Sequence, residues 1–502
     1  MKEYLKNLIC LYERYPITFL EYTENELKER ENILLYALDI YSVGIKAFSY
    51  NKFNLFHSLY MFNYYIGITN NKNFAEWREI MSVCIYLTMK FLENIIPHIN
   101  DFSCAAKINA KVLKEKEFHL VQVLQGTLFF PSYNFYFDIY QMEKDKKEKM
   151  YSILLGEFVN QQFKYATHIV FEALKIIVTK QANDFPLDVV LEEVKKLFEK
   201  NSCKKIVYKE NKYKIKDFFR QGGQSKIFTT ENNFIVKRTL YNQEHGIDRS
   251  TLRELALLKE LDDKYIMKLY DINFIVKESL YHYLFSWDEG KQINIVLEKM
   301  DCNLCECSNT LDSKQLKKYT KQLFEGMLYL KQWGILHRDL KPENVLYSKQ
   351  SDSIKITDFG LAREGPNKSF YTKNIITAYY APPEILLPGK VEYSFEVDMW
   401  SAACIIYEMH YKKILFYGDN TYNLLENMFS LLGTPKQKDK VVYSLYKNSD
   451  LKDIVLKSKF NSDMKYVSDT NPKLFDLLKS ILCLEPSNRI TVEQALKHDY
   501  FN

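Results

Sequence analysis

Residues 337–344 read His-Arg-Asp-Leu-Lys-Pro-Glu-Asn, and Asp358-Phe359-Gly360 follows fourteen residues after Asn344. The first run offers a base, Asp339, for a hydroxyl proton. It also offers a cation, Lys341, to stand near a transferred phosphoryl group, and an amide, Asn344, for a magnesium ion. Asp358 adds the main carboxylate for that metal. Phosphoryl transfer needs mostly positioning and charge neutralisation, and these residue types supply both. An isolated Asp-Phe-Gly is a weak signal; the two runs in this order and spacing are a specific one.

The surrounding chain must position these groups. Short strand-like runs at 213–220, 226–231, 234–238 and 292–298 precede them, and the pattern after 315 is helical. Residues 1 to about 200 read as almost wholly helical. Ile80, Val83, Cys84, Leu87 and Phe91 form one apolar stripe at helical spacing. Leu113, Leu120, Val121 and Leu124 partly repeat it, as do Ala166, Ile169, Val170, Ala173, Leu174 and Ile177. Polar breaks at 69–72 and 144–147 separate these segments. The lysine-rich stretch 200–212 reads as a short linker. From periodicity alone, the first part is a helical bundle of no stated role.

A chain of 502 residues exceeds one ordinary core, so two or three domains are expected. Hydrophobic content of 47% and charged content of 26% suit a soluble globular protein. A net charge of +5 gives no reason to expect a nucleic-acid partner. Nine cysteines, an odd number, suit reduced thiols and an intracellular setting, in the nucleus, the cytoplasm or both. Cys302, Cys305 and Cys307 cluster, but no fourth ligand stands nearby, so ordinary thiols are the plainer reading than a metal site. No uncharged apolar run reaches the roughly 18 residues of a membrane span, and the start has no signal-peptide layout.

From about 213 to 502 the chain resembles the eukaryotic protein kinases, and among them the cyclin-dependent kinases. Arg220-Gln-Gly-Gly-Gln-Ser-Lys226 sits where the Gly-rich phosphate loop belongs, and Phe234-Ile-Val-Lys237 where the third strand does. Asp248-Arg-Ser-Thr-Leu-Arg-Glu254 resembles the family's C-helix. The resemblance implies ATP and Mg2+ as cofactors. It implies that Gly223 and Lys237 hold phosphates, that Glu254 fixes Lys237, and that the backbone of Glu298 and Met300 reads the adenine. Asp339, Lys341, Asn344 and Asp358 keep the roles given above, with Lys341 marking the serine/threonine version of the loop. Thr377 orients Asp339 and Lys341, and Glu384 pairs with Arg489. Asp398 starts the helix that braces the catalytic loop. Thr372 stands at the activating phosphosite, with Arg253, Arg338 and Arg363 as its phosphate-binding arginines and a separate activating kinase implied. Leu432-Gly-Thr-Pro435 is typical of the group holding cyclin-dependent and MAP kinases.

The phosphate loop departs from the family pattern. Only Gly223 of three usual glycines remains, with Gln221 and Lys226 at the others. Ile235 stands where a small residue roofs the adenine, and Ser225 replaces the tyrosine of inhibitory phosphorylation. None of these changes removes a group that does chemistry.

With a kinase of this type downstream, the helical part resembles a cyclin. Met89-Lys90-Phe-Leu-Glu93 through Pro97 is similar to the end of the third helix of a cyclin box. Lys114-Glu-Lys-Glu117 and Leu120 through Pro131 are similar to the fourth helix and the turn after it. The resemblance implies that Lys90 and Glu117 hydrogen-bond to kinase backbone beside the C-helix, with Leu252 at the same interface. Asn63 and Glu31 stand where the family pairs an acid with an arginine, so the box is divergent.

The expected architecture is a multidomain α + (α+β) chain: an all-helical cyclin-like domain, then a bilobal protein kinase fold. The cyclin-like domain is expected over 1–200, with its box at about 25–142 and a shortened second repeat at about 147–200. A linker follows at 201–212 and the kinase domain at 213–502. The expected activity is transfer of the ATP γ-phosphate to protein Ser or Thr, switched on by an intramolecular cyclin–kinase contact. The other reading is a binding protein: a cyclin-like and pseudokinase chain acting on a separate kinase, or as a scaffold.

Overall fold

The computed structural model describes residues 29, 32–33, 35–41, 54–93, 96–128, 213–221, 225–240, 246–276, 291–307, 311–365, 378–389 and 391–502. The expected second repeat at 147–200 and the linker at 201–212 lie outside them, as do Glu31, Gly223, Thr372 and Thr377. The chain packs as two compact units. The first holds Met1–Glu260 with Tyr270–Leu297, and the second holds Leu261–Leu269 with Glu298–Asn502.

In the first unit, helices α1 (Asn54–Thr69), α2 (Phe74–Leu92), α3 (Ile99–Ala106) and α4 (Ala110–Val123) come first. The side chain of Asn109 accepts from the Lys111 N–H and starts α4. The sequence pattern gives α2 one apolar stripe. In the fold every residue from Ile80 to Phe91 is buried, because α1, α4 and a later helix all pack on α2. Two of its buried hydroxyls bond within the helix: Ser82 Oγ donates to the Arg78 carbonyl and Thr88 Oγ1 to that of Cys84, both at 2.8 Å.

A five-stranded sheet completes this unit, with strands β1 (Ile215–Gln221), β2 (Ser225–Thr230), β3 (Phe234–Leu240), β4 (Leu269–Val276) and β5 (Lys291–Glu298). Their order is β1-β2-β3-β5-β4. Helix α5 (Arg249–Glu260) lies between β3 and β4 in the chain, and nine of its residues are buried. The Asp248 carboxylate accepts from the Ser250 N–H at 2.8 Å and caps it. Strand β4 is absent from the sequence reading. Its Phe274 meets Phe118 of α4 edge to face at 5.7 Å, so the early helices and the sheet share one core.

The second unit is mainly helical. A small sheet orders β6 (Cys302–Asn303), β8 (Val345–Ser348) and β9 (Ser353–Ile356), and β7 (Ile335–Leu336) pairs with β10 (Arg363–Glu364). Helix α6 (Ser313–Gln332) opens with a full capping box between Asp312 and Gln315. Helix α7 (Glu396–Tyr411) runs buried through the unit from Val397 to Ile406. Helix α8 (Thr421–Leu432) follows in the chain, and α9 (Pro472–Ile481) packs against α7. Among the described residues no helix is long and apolar enough to cross a membrane.

Candidate active site

Strand β7 delivers the chain into the loop 337–344. There Arg338 takes a left-handed backbone, φ +65°, a conformation a non-glycine residue holds only when its surroundings fix it. Asp398, in the first turn of α7, does so. Its carboxylate accepts from the N–H of His337 at 2.8 Å and of Arg338 at 2.9 Å. Burial raises the pKa of Asp398, while His337 and Arg338 pull it back toward the charged form.

The held loop sets out its side chains in one cluster. Lys341 Nζ lies 2.7 Å from Asp339 Oδ2. Asn344 Nδ2 donates to the same oxygen at 3.1 Å and to the Asp339 carbonyl at 2.8 Å. The Asn344 carbonyl accepts from Thr357 N–H at 3.0 Å, which ties the residue before Asp358 to the loop. Asp358 itself is left-handed, φ +66°, at the head of the turn Phe359–Leu361.

This donor set bears on magnesium. With Asn344 Nδ2 committed to Asp339, the amide oxygen is the atom left for a cation. Asn344 and Asp358 then offer oxygen ligands only, the type a hard cation takes. Among the described residues no three His, Cys, Asp or Glu side chains group to hold a metal. Magnesium keeps waters and takes phosphate oxygens, so an amide and a carboxylate suffice as its protein ligands.

The arginines expected around Thr372 have partners of their own. Arg338 donates from Nε and Nη2 to the Leu361 carbonyl, at 2.8 and 2.6 Å, and from Nη1 to Tyr393 Oη at 3.1 Å. Arg363 is buried at its β10 position opposite Leu336. Arg253 lies on α5 in the other unit, where its Nε donates to the Phe91 carbonyl at 3.2 Å. Farther from the chemistry, Glu384 and Arg489 form a two-pronged ion pair, both bonds 2.7 Å and both side chains fully buried.

In the first unit Lys237 of β3 meets Glu254 of α5. Lys237 Nζ is 2.7 Å from Oε1 and 2.6 Å from Oε2, and the Glu254 side chain is 4% exposed. Glu298 ends β5; its N–H donates to the Lys268 carbonyl at 3.3 Å, which leaves its own carbonyl as the backbone atom available to a base. Met300, two residues on, is half-buried.

The same unit joins α2 and α4 to the start of α5. Lys90 Nζ pairs with Glu117 Oε1 at 2.6 Å and donates to the Ile247 carbonyl at 3.0 Å. Glu117 Oε2 accepts from the Ile247 N–H at 3.2 Å. Both peptide groups of Ile247 are thereby held by two buried side chains from the helical segment. Leu252 is fully buried on α5. Sequence reasoning missed Arg249, whose guanidinium donates to the Glu93 carbonyl, while Glu93 Oε1 accepts from Asn54 Nδ2 at 3.0 Å. Arg249 and Arg253 thus bond the last carbonyls of α2, where a helix carries partial negative charge. The only sequence signal was an arginine at the first position of α5, where acids are usual.

A family model described as the protein kinase domain matches residues 221–501.

Proposed function

This chain belongs to the protein kinase family, and we propose that it is a serine/threonine kinase of the cyclin-dependent type, held active by its own N-terminal helices. Family membership implies ATP as phosphate donor and proteins as acceptors, usually with Mg2+, which supplies the charge that neutralises the phosphates. The boundaries we propose are a cyclin-like domain over 1–200, a linker over 201–212 and a kinase domain over 213–502.

In this reading Asp339 accepts or orients the proton of the substrate hydroxyl. Its Oδ2 receives Lys341 and Asn344, so the carboxylate is fixed in direction while it acts. Lys341 and Lys237 neutralise phosphate charge, and Asn344 and Asp358 hold the metal. Lys341, two residues past Asp339, supports a Ser/Thr acceptor. The Glu298 carbonyl and the Met300 backbone meet the adenine, and Gly223 and Thr377 keep their sequence assignments. Phosphorylation of Thr372 by another kinase would order its segment through Arg253, Arg338 and Arg363.

One observation carries the activation claim: the Lys237–Glu254 pair is closed while Lys90 and Glu117 grip the backbone two residues before α5. Glu254 can reach Lys237 only when α5 is held inward, and the grip on Ile247 holds that end of α5. Tethering makes the contact intramolecular, at an effective concentration on the order of millimolar. The test is a Mg-ATP assay on the purified chain at a size-exclusion position showing no partner. Phosphorylation of a protein substrate without added cyclin is expected. A requirement for an added cyclin would overturn activation in cis.

A further inference from the structure

We infer that Gly246 is a positioning residue for the Lys237–Glu254 pair, acting through Glu117; the inference rests on the reading of that pair as the nucleotide anchor. Gly246 precedes Ile247 with φ +76°. A Cβ built on it overlaps Glu117 Oε2, lies 3.0 Å from Glu117 Cδ and 3.2 Å from Lys90 Nζ. Those are the two groups that hold Ile247. The Glu117 side chain is 1% exposed, with one oxygen on Lys90 and the other on the Ile247 N–H. A buried carboxylate so committed has no solvent-facing rotamer to retreat to without leaving its partners unpaired. No side chain at 246 is therefore compatible with the grip.

Two separate obstacles meet at this position. The left-handed backbone strains any L-residue with a Cβ, whatever its surroundings. The overlap with Glu117 is specific to the grip and disappears if that carboxylate is removed. Glu254 lies seven residues beyond Ile247, about two helical turns. Its pairing distances of 2.6 and 2.7 Å leave little room for α5 to move outward.

A second glycine does the same from the other side. Gly126, φ +75°, follows α4, and a Cβ there would lie 2.7 Å from Leu255 Cγ and 3.2 Å from Ile272 Cδ1. Leu255 is the neighbour of Glu254 on α5. One glycine from each segment thus sets how closely the helical segment approaches α5.

The experiment is a double-mutant cycle on the full chain. Gly246→Ala is made in the native background and in Glu117→Ala, and each variant is read by its kcat and KM for ATP. Amide hydrogen exchange over 249–260 is measured alongside. Gly246→Ala is expected to lower kcat/KM by tenfold or more in the native chain, and by less than twofold further in Glu117→Ala. Exchange over α5 should follow the same pattern. Equal penalties in both backgrounds would reduce Gly246 to a strained turn and overturn the inference. If Gly246→Ala does not fold, Gly126→Ala with and without Leu255→Ala is the equivalent cycle. If the chain transfers no phosphate, the exchange data still decide the glycine role, and only the functional reading is lost.

Discussion

Lys90 and Glu117 stand 2.6 Å apart, both buried, and between them they bind the carbonyl and the N–H of Ile247. Burying charged groups costs stability unless they are paired and hydrogen-bonded. Lys90 Nζ has the carboxylate, the carbonyl and the face of Tyr86, whose ring centre is 4.8 Å away.

Removing one member of this pair leaves the other charge buried alone. Lys90→Met or Glu117→Ala should each cost about 3 kcal/mol of stability. Each should also lower the rate of substrate phosphorylation at least tenfold. The double variant should cost less than the sum, because both charges leave together. Thermal melts and initial rates on the three proteins check this; strict additivity would show that the two residues do not act on each other.

Asp339→Asn should keep the fold and lose the reaction. The amide preserves size and a hydrogen bond near Lys341 but cannot take a proton. A fall of roughly 10²–10⁴ in kcat is expected, the usual scale for a general base. ATP affinity should change little. Turnover equal to the native chain would reject the assignment.

The Glu384–Arg489 pair should matter for folding and not for chemistry. Arg489 also donates to the carbonyls of Cys483, Leu484 and Glu396. Lysine cannot reproduce that fork. Arg489→Lys should destabilise by about 3–5 kcal/mol, as for one broken buried pair. The KM for ATP of the folded fraction should stay constant. Denaturant unfolding beside steady-state kinetics separates the two effects.

His410 makes the second unit acid-sensitive. Burial first, and then the Lys412 cation, push its pKa from 6.5 down to about 4. Between those values the unfolded chain binds a proton that the folded chain does not. Its contribution is therefore intact above pH 6.5 and is lost as pH falls toward 4, at roughly 1.4 kcal/mol per pH unit. At pH 5 the loss should be about 2 kcal/mol on this basis. His410→Gln should lack that loss, measured as urea midpoints at pH 7 and 5. Native and variant chains losing stability equally would contradict the assignment.

Proline selection after the target Ser or Thr should be relaxed. In the resembling kinases an arginine two positions before the Pro-Glu ties up an upstream carbonyl and so favours proline, which lacks an N–H. Ala381 stands at that position. It is fully buried, its backbone N–H is given to the Ala378 carbonyl at 3.2 Å, and its side chain has no donor for another. An ordinary residue could then donate there, a bond worth roughly 0.5–1.5 kcal/mol. Selectivity for proline should fall several-fold to about tenfold, read from a peptide library. Exclusive proline selection would show that another side chain has taken over.

The sequence by itself carries the family, whose domain spans residues 221–501, and it points to the residues proposed for the chemistry. Asp339, Lys341, Asn344 and Asp358 are fixed by residue type and short spacing, and the described loop brings the first three together as that spacing requires. Lys237 and Glu254, and Lys90 and Glu117, could be singled out only through the family resemblance, since each alone reads as an ordinary surface charge. Strands β1, β2, β3 and β5 showed in their apolar runs. Strand β4 did not, although at eight residues it is as long as β5, because Asp271 and Asn273 break its apolar run.

Only the tertiary structure decided what those side chains hold. The acceptors are the carbonyls of Ile247, Phe91, Glu93 and Leu361, and a backbone carbonyl has no sequence signature. The burial of α2 on every face followed from three helices packing round it, which no single-helix period reveals. Gly246 and Gly126 carry no sequence signal of their own; the carboxylate of Glu117 and the side chain of Leu255 give them their part. Their role comes from groups more than a hundred residues away in the chain, brought close by the shared core of helices and sheet.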